Sequence, residues 1–185
     1  LPRSRGLGDV YKRQALNAPD TIQDYPMGHE WFQLYLNGTH ISNAGVKEYD
    51  VAKKKISENV EKIHNSISLL LENLNLKMTD CFVMGFSQGG MMAFELGQIF
   101  QNQLAGLAII SSRIISKEHK PNNAFLKTPI FISHGAQDAV LPISNYNESL
   151  EVLKKYNYNY ENYLIESDDH TMSCLLYTSP SPRDL

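Results

Sequence analysis

The sequence predicts an α/β protein, a mostly parallel sheet with helices on both faces. Three observations carry this. Short apolar runs at Cys81-Phe82-Val83-Met84, Leu107–Ile110 and Pro129–Ser133 alternate with helical stretches. From Val51 onward, Ile56, Val60, Ile63, Ile67, Leu70 and Leu74 recur at spacings of four and three, the period of an amphipathic helix. Finally, Gly85-Phe86-Ser87-Gln88-Gly89-Gly90 joins the first apolar run to the helical Met91–Leu96, a strand–turn–helix passage with a serine at its apex.

Element by element, Ala15–Ala18 reads as the tail of a strand, ended by Pro19-Asp20. Residues 20–50 carry Gly, Pro, Asn and Asp with a few aromatics (Tyr25, Trp31, Phe32, Tyr35) and read as one long loop. The helix from Val51 takes Asp50 as its N-cap and turns Lys54, Glu58, Glu61, Lys62 and Asn65 to solvent. A strand at 81–84, the serine turn and a helix to about Phe100 follow. Leu107–Ile110 is a buried strand, 116–123 a polar loop and Pro129–Ser133 another buried strand. Ser144–Tyr156 is helical with Leu150 and Leu153 inward, and Tyr158–Ile165 is the last strand. There is one domain, without repeats or linkers.

The two ends read differently. A DNA encoding Cys174–Asp184 has a reverse complement that, read one base in, encodes Ser4–Arg13 and the first two bases of the Gln14 codon. Segments so related resemble read-through of a transposase-type sequencing adapter. The expectation is that residues 1–14 and 174–185 are adapter-derived, and that 15–173 are the native part of a longer domain. Gly6-Leu7-Gly8-Asp9 falls in the adapter-like part and is set aside as an oxyanion loop.

Without those ends the charge balance shifts. Of 17 Lys and Arg, Arg3, Arg5, Lys12, Arg13 and Arg183 drop out; of 20 Asp and Glu, Asp9 and Asp184 drop out. That leaves 12 basic and 18 acidic side chains, a net charge of −6. There is no basic footprint for nucleic acid or an anionic membrane, and no apolar run long enough to span a bilayer. Cys81 is the one cysteine within 15–173, so this segment holds no internal disulfide. A cytoplasmic location fits these features. His29, His40, His64 and His119 lack metal-ligand spacing and read as surface residues.

Gly-x-Ser-x-Gly spacing alone arises by chance in about one chain in twenty of this length, so the serine needs partners. A nucleophilic serine requires a base and an acid that orients it, each on a loop at the carboxyl end of a strand, in the chain order Ser, acid, His. Asp138 follows the strand ending at Ser133, within His134-Gly135-Ala136-Gln137-Asp138-Ala139-Val140-Leu141-Pro142. His170 follows the last strand, within Asp168-Asp169-His170-Thr171-Met172-Ser173. Order, strand ends and residue types agree. Asp168 and Asp169 are rival acids but follow the wrong strand. His134 reads as structural, its ring tied to a backbone carbonyl.

GFSQGG, then HGAQDAVLP, then DHTMS resemble the phospholipase/carboxylesterase family of α/β-hydrolases, which includes the acyl-protein thioesterases. Ala18-Pro19-Asp20 with Gly28-His29-Glu30-Trp31-Phe32 is similar to the AP…WF segment of its bacterial carboxylesterases. The resemblance implies an α/β-hydrolase fold whose N-terminal strands, with the second oxyanion donor, lie upstream of Ala15, and whose C-terminal helix lies beyond Ser173. It implies Ser87 as nucleophile, His170 as general base and then acid, Asp138 as orienting carboxylate and the Gln88 backbone N–H as an oxyanion donor. Trp31 and Phe32 either line an acyl groove or pack under the long loop. Two departures stand out: Asp169 occupies a position where the family usually has Gly, and Ile110-Ser111-Ser112 stands where it often reads LSG.

The implied function is a serine hydrolase of carboxylic esters or thioesters, of carboxylesterase, acyl-protein thioesterase or lysophospholipase type, acting through an acyl-enzyme. It needs no metal or organic cofactor. Its partner is a small-molecule acyl ester or an acylated thiol, with no nucleic acid and no stable membrane insertion; a homodimer is compatible. The alternative, motivated by the departures around His170 and Ser112, is an impaired hydrolase-fold protein that binds an acyl ligand or partner without turnover.

Overall fold

The structure, a computed structural model, describes residues 12–23, 25–118 and 120–172. The adapter-like ends other than 12–14, and His119, lie outside the described residues. A four-stranded parallel sheet in the order β5-β6-β7-β8 is its frame, with β5 at Phe82–Phe86, β6 at Gly106–Ile110, β7 at Ile130–Gly135 and β8 at Tyr160–Ile165. Helices α2 (Gln88–Ile99), α3 (Asn123–Lys127) and α4 (Ile143–Lys155) form the three crossovers, so every strand runs the same way. β6, Gly-Leu-Ala-Ile-Ile, is buried throughout, as a continuous apolar strand in a covered parallel sheet must be. α2 packs on β5 and β6, and the long helix α1 (Val46–Leu74) packs on α2.

α1 presents the expected stripe: Ile56, Val60 and Ile63 are buried, joined by Ala52 and Leu71. It begins at Val46, one turn before the Asp50 cap expected from sequence. The reason is Glu48, whose carboxylate accepts the Gly45 N–H at 2.8 Å and satisfies one of the orphan donors of the first turn. The helix ends at Asn75, which adopts a left-handed φ of 52°, while the Leu76 N–H closes onto Leu71 O.

The region 20–50 is not one loop. Strands β1 (Asp20–Ile22) and β2 (Tyr25–Glu30) form an antiparallel pair, and β3 (Tyr35–Leu36) and β4 (Thr39–His40) form a tight hairpin. The second turn is Asn37-Gly38, both at positive φ, the pairing that a two-residue hairpin favours. Ala15–Ala18 is not a strand: it has no pairing partner among the described residues, and Ala15–Asn17 are exposed. The polar stretch after β6 gives way to α3, capped by Asn122 Oδ1 on the Phe125 N–H.

One buried cation ties these parts together. Arg113, just past β6, donates through Nη1 to Ile41 O and Ser42 O at 3.0 and 2.9 Å, and through Nη2 to Glu148 on α4 at 3.0 Å. A buried guanidinium is tolerable only when so partnered. Tyr49 beside it donates its hydroxyl to Ile41 O, and burial pushes that phenol up to about 12.

β5 has a strand neighbour on one side only among the described residues. Its outer face carries Phe82 and Met84, 51% and 61% exposed.

Candidate active site

The site lies at the carboxyl ends of β5, β7 and β8, where loops leave the sheet side by side. Ser87 directly follows β5 and precedes α2. Its backbone stands at φ 52° and ψ −123°, outside the common basins of an L-residue, a strain such a turn holds only if its surroundings fix it. Several contacts do so. The Ser87 N–H donates to Ile110 O at 2.9 Å, and Ser87 O accepts the Gly90 N–H at 3.0 Å. A Cβ on Gly85 would stand 2.1 Å from Gly89 O, so the strand end can approach the helix start only with glycine there.

Ser87, Asp138 and His170 meet, as their order in the chain implies. His170 Nε2 lies 2.9 Å from Ser87 Oγ, and His170 Nδ1 lies 2.7 Å from Asp138 Oδ2. Asp138 is buried, and its other oxygen accepts the N–H groups of Val140 and Leu141 at 2.9 and 2.8 Å. With Oδ1 so occupied, Oδ2 is left to face the imidazole. His170 itself is only partly covered, its side chain 17% exposed, and its ring rests against Phe86 with centroids 5.0 Å apart.

The rival acids enter the site through their main chains. Asp168 O accepts the Gln137 N–H and Asp169 O accepts the Thr171 N–H, so both shape the turn that presents His170 through their backbones. His134 is structural in the sense expected: buried, stacked on Tyr146, its Nε2 2.8 Å from Leu141 O. Burial lowers its pKa, opposed by the Leu141 carbonyl and the Asp138 charge.

Gln88 opens α2, so its N–H is one of the first-turn donors that no helical carbonyl can reach, and it points from the positive end of the helix dipole. Its side chain does more than sequence reasoning assigned to it. Oε1 accepts the Trp31 N–H at 2.8 Å and Nε2 donates to Phe32 O at 2.7 Å. Asn59 of α1 donates to Trp31 O at 2.6 Å. The Trp31-Phe32 backbone is therefore bolted to the serine turn and to α1. Phe32 is buried with its ring edge-on to Tyr49, and Trp31 is half-buried against the same core. The signal for Asn59 was present: an amide on the apolar face of α1, between Ile56 and Val60.

Among the described residues no group of three or more His, Cys, Asp or Glu is arranged to hold a metal ion.

A model of the phospholipase/carboxylesterase family matches residues 15–174. The chain belongs to the phospholipase/carboxylesterase family. Among curated members it is similar to acyl-protein thioesterase 1 of Gibberella zeae, with 28% identity over 70% of this chain and 55% of the relative. It is similar also to acyl-protein thioesterase 1 of Emericella nidulans, with 32% identity over 55% of this chain and 48% of the relative. The chain thus spans about half the length of the curated relatives it matches. Among solved structures, esterase PE8 superposes with a TM-score of 0.69 at 23% identity, covering 85% of this chain and 70% of that one. The Bacillus cereus carboxylesterase gives a TM-score of 0.60 at 15% identity, covering 67% and 57%. These neighbours establish the α/β-hydrolase fold of this family member.

Proposed function

We propose that the protein to which this chain belongs is a serine hydrolase that cleaves carboxylic esters or thioesters through an acyl-enzyme. The observation that carries the reading is the unbroken hydrogen-bonded path from Ser87 Oγ through His170 to Asp138. Ser87 Oγ attacks the acyl carbonyl carbon while His170 Nε2 takes its proton. Asp138 keeps the other imidazole proton on Nδ1 and stabilises the imidazolium. The oxyanion is met by the Gln88 N–H at the start of α2. The imidazolium then protonates the leaving alcohol or thiol as its bond to the acyl carbon breaks. Water, deprotonated by His170, adds to the acyl-enzyme and releases the carboxylic acid and free Ser87. The steps use no metal or organic cofactor.

The activity is assigned to a longer parent protein in which residues 15–173 are the native part. The chain spans about half the length of the acyl-protein thioesterases it matches, and among the described residues β5 has a strand neighbour on one side only. A small acyl ester or an acylated thiol is the substrate class. No helix among the described residues is long and apolar enough to cross a membrane. The test is labelling of the parent protein by a fluorophosphonate probe, with loss of labelling in Ser87→Ala, alongside hydrolysis of p-nitrophenyl butyrate and of an S-acyl peptide. An intact parent protein that takes no label sinks the reading; the ratio of the two turnover rates decides ester against thioester.

A further inference from the structure

We infer that the consecutive serines Ser111 and Ser112, at the carboxyl end of β6, are positioning residues that set the distance between the nucleophile and its base. The inference rests on the roles proposed for Ser87 and His170. β6 contributes no member of the hydrogen-bonded path, yet it lies between β5, which delivers Ser87, and β7, which delivers Asp138. The two hydroxyls that follow it reach different partners. Ser112 Oγ donates to Ser87 O at 2.5 Å, and Ser111 Oγ donates to Thr171 O at 2.9 Å, one residue beyond His170. Both are hydroxyl-to-carbonyl bonds, so the direction of donation is fixed by chemistry.

Each serine is placed at some cost. Ser111 stands at φ 42°, the left-handed region that a residue with a side chain rarely adopts. Both are almost wholly buried, at 1% and 0% exposure. A Cβ on Gly90 would come within 2.6 Å of Ser112, so this glycine in the first turn of α2 leaves the room that Ser112 fills. The backbone of the pair is equally determined: the Ser111 N–H donates to Ser133 O on β7, and Ile110 O receives the Ser87 N–H.

The consequence follows from what each bond restrains. Ser87 sits in a strained conformation, and Ser112 holds its carbonyl together with the Gly90 N–H. Thr171 O is held by Ser111, which stops the loop after β8 from carrying His170 off the sheet. Reaction geometry tolerates about an ångström of error only at a large loss of rate, so two bonds from adjacent residues leaving β6 constrain both reacting partners against each other.

The test uses the full-length parent protein and measures the fluorophosphonate labelling rate, kcat and KM separately, and the pH profile of kcat/KM. Ser112→Ala is expected to slow labelling and lower kcat by roughly five- to tenfold, the scale of one neutral hydrogen bond, with KM unchanged. Ser111→Ala is expected to lower kcat similarly and also to shift the limb of the pH profile that reports the base, since His170 is then held less firmly on Asp138. Ser112→Cys, which fills the space with a far weaker donor, covers the case in which the alanine variant does not fold. Wild-type labelling and kcat in folded Ser111 and Ser112 variants overturn the inference, as does a rise in KM alone. A wild-type protein that takes no label overturns instead the assignment of Ser87 on which it rests.

Discussion

Asp138 divides its carboxylate: Oδ1 is consumed by two backbone N–H groups of its own loop, and Oδ2 faces His170 Nδ1 at 2.7 Å. The loop therefore fixes which oxygen serves the histidine. Asp138→Asn preserves the shape but offers an amide N–H where the imidazole N–H now donates, which favours the wrong tautomer. A fall in kcat on the order of a thousand- to ten-thousandfold is expected, with little change in KM. Steady-state kinetics of the parent protein with p-nitrophenyl butyrate check it.

Gly85 is the tightest point of the serine turn. With Gly89 O 2.1 Å and Gly89 C 2.3 Å from a would-be Cβ, relief requires backbone movement. Gly85→Ala is expected to cost about 3 kcal/mol or more, through strain at a special backbone position. Urea denaturation measures the loss, and a variant as stable as wild type would contradict the geometry.

Gln88 joins the serine turn to the Trp31-Phe32 segment through both ends of its amide. Gln88→Ala leaves a half-buried N–H and a buried carbonyl without partners, and a loss of about 1–3 kcal/mol follows. Gln88→Glu repairs only half: it still accepts the Trp31 N–H but turns an oxygen toward Phe32 O. Both variants should melt below wild type by calorimetry while keeping the backbone N–H at position 88.

His134 gives the fold a pH dependence of definite sign. Its Nε2 serves Leu141 O, while Nδ1 is buried without a partner. Burial, the larger effect, lowers its pKa below the ordinary value near 6.5. Below that ordinary value the unfolded chain binds a proton that the folded chain refuses, so stability is full above about pH 6.5 and declines as pH falls toward the lowered folded value. His134→Gln, which retains a donor for Leu141 O, should flatten the decline by up to one proton. Unfolding free energies measured at pH 7.5 and 5.5 decide it.

The 185-residue chain by itself should self-associate. Among the described residues β5 offers an edge without a strand partner, beside exposed Phe82 and Met84, the combination that invites strand-to-strand pairing. Light scattering after size exclusion is expected to show oligomers and poor ester turnover, and Met84→Lys to raise the monomer fraction. A monodisperse wild-type monomer would refute this.

The sheet and the candidate triad were legible because their signals are local and strong. Continuous apolar runs marked β5, β6 and β7, and glycines flanking Ser87 marked the turn. What escaped depended on pairing or on side chains reaching across the fold. Asn37-Gly38 was a hairpin signal, but its strands are two residues each, too short to show alternation. The start of α1 turned on Glu48 reaching back to Gly45, which outweighed Asp50. Ser111 and Ser112 do their work through backbone carbonyls far away in sequence, and no spacing rule encodes such partners.

The arrangement of strands also divides labour in the molecule. The atoms proposed to move protons hang from β5, β7 and β8, braced by β6, a contiguous block in both sequence and space. The segment that precedes α1 touches this block through the Gln88 amide and through Arg113, whose guanidinium donates to Ile41 O and Ser42 O. On the proposed reading, the chemistry is a fixed cassette and the upstream region an interchangeable front. Chimeras that exchange residues before Val46 between family members should inherit an unaltered proton relay.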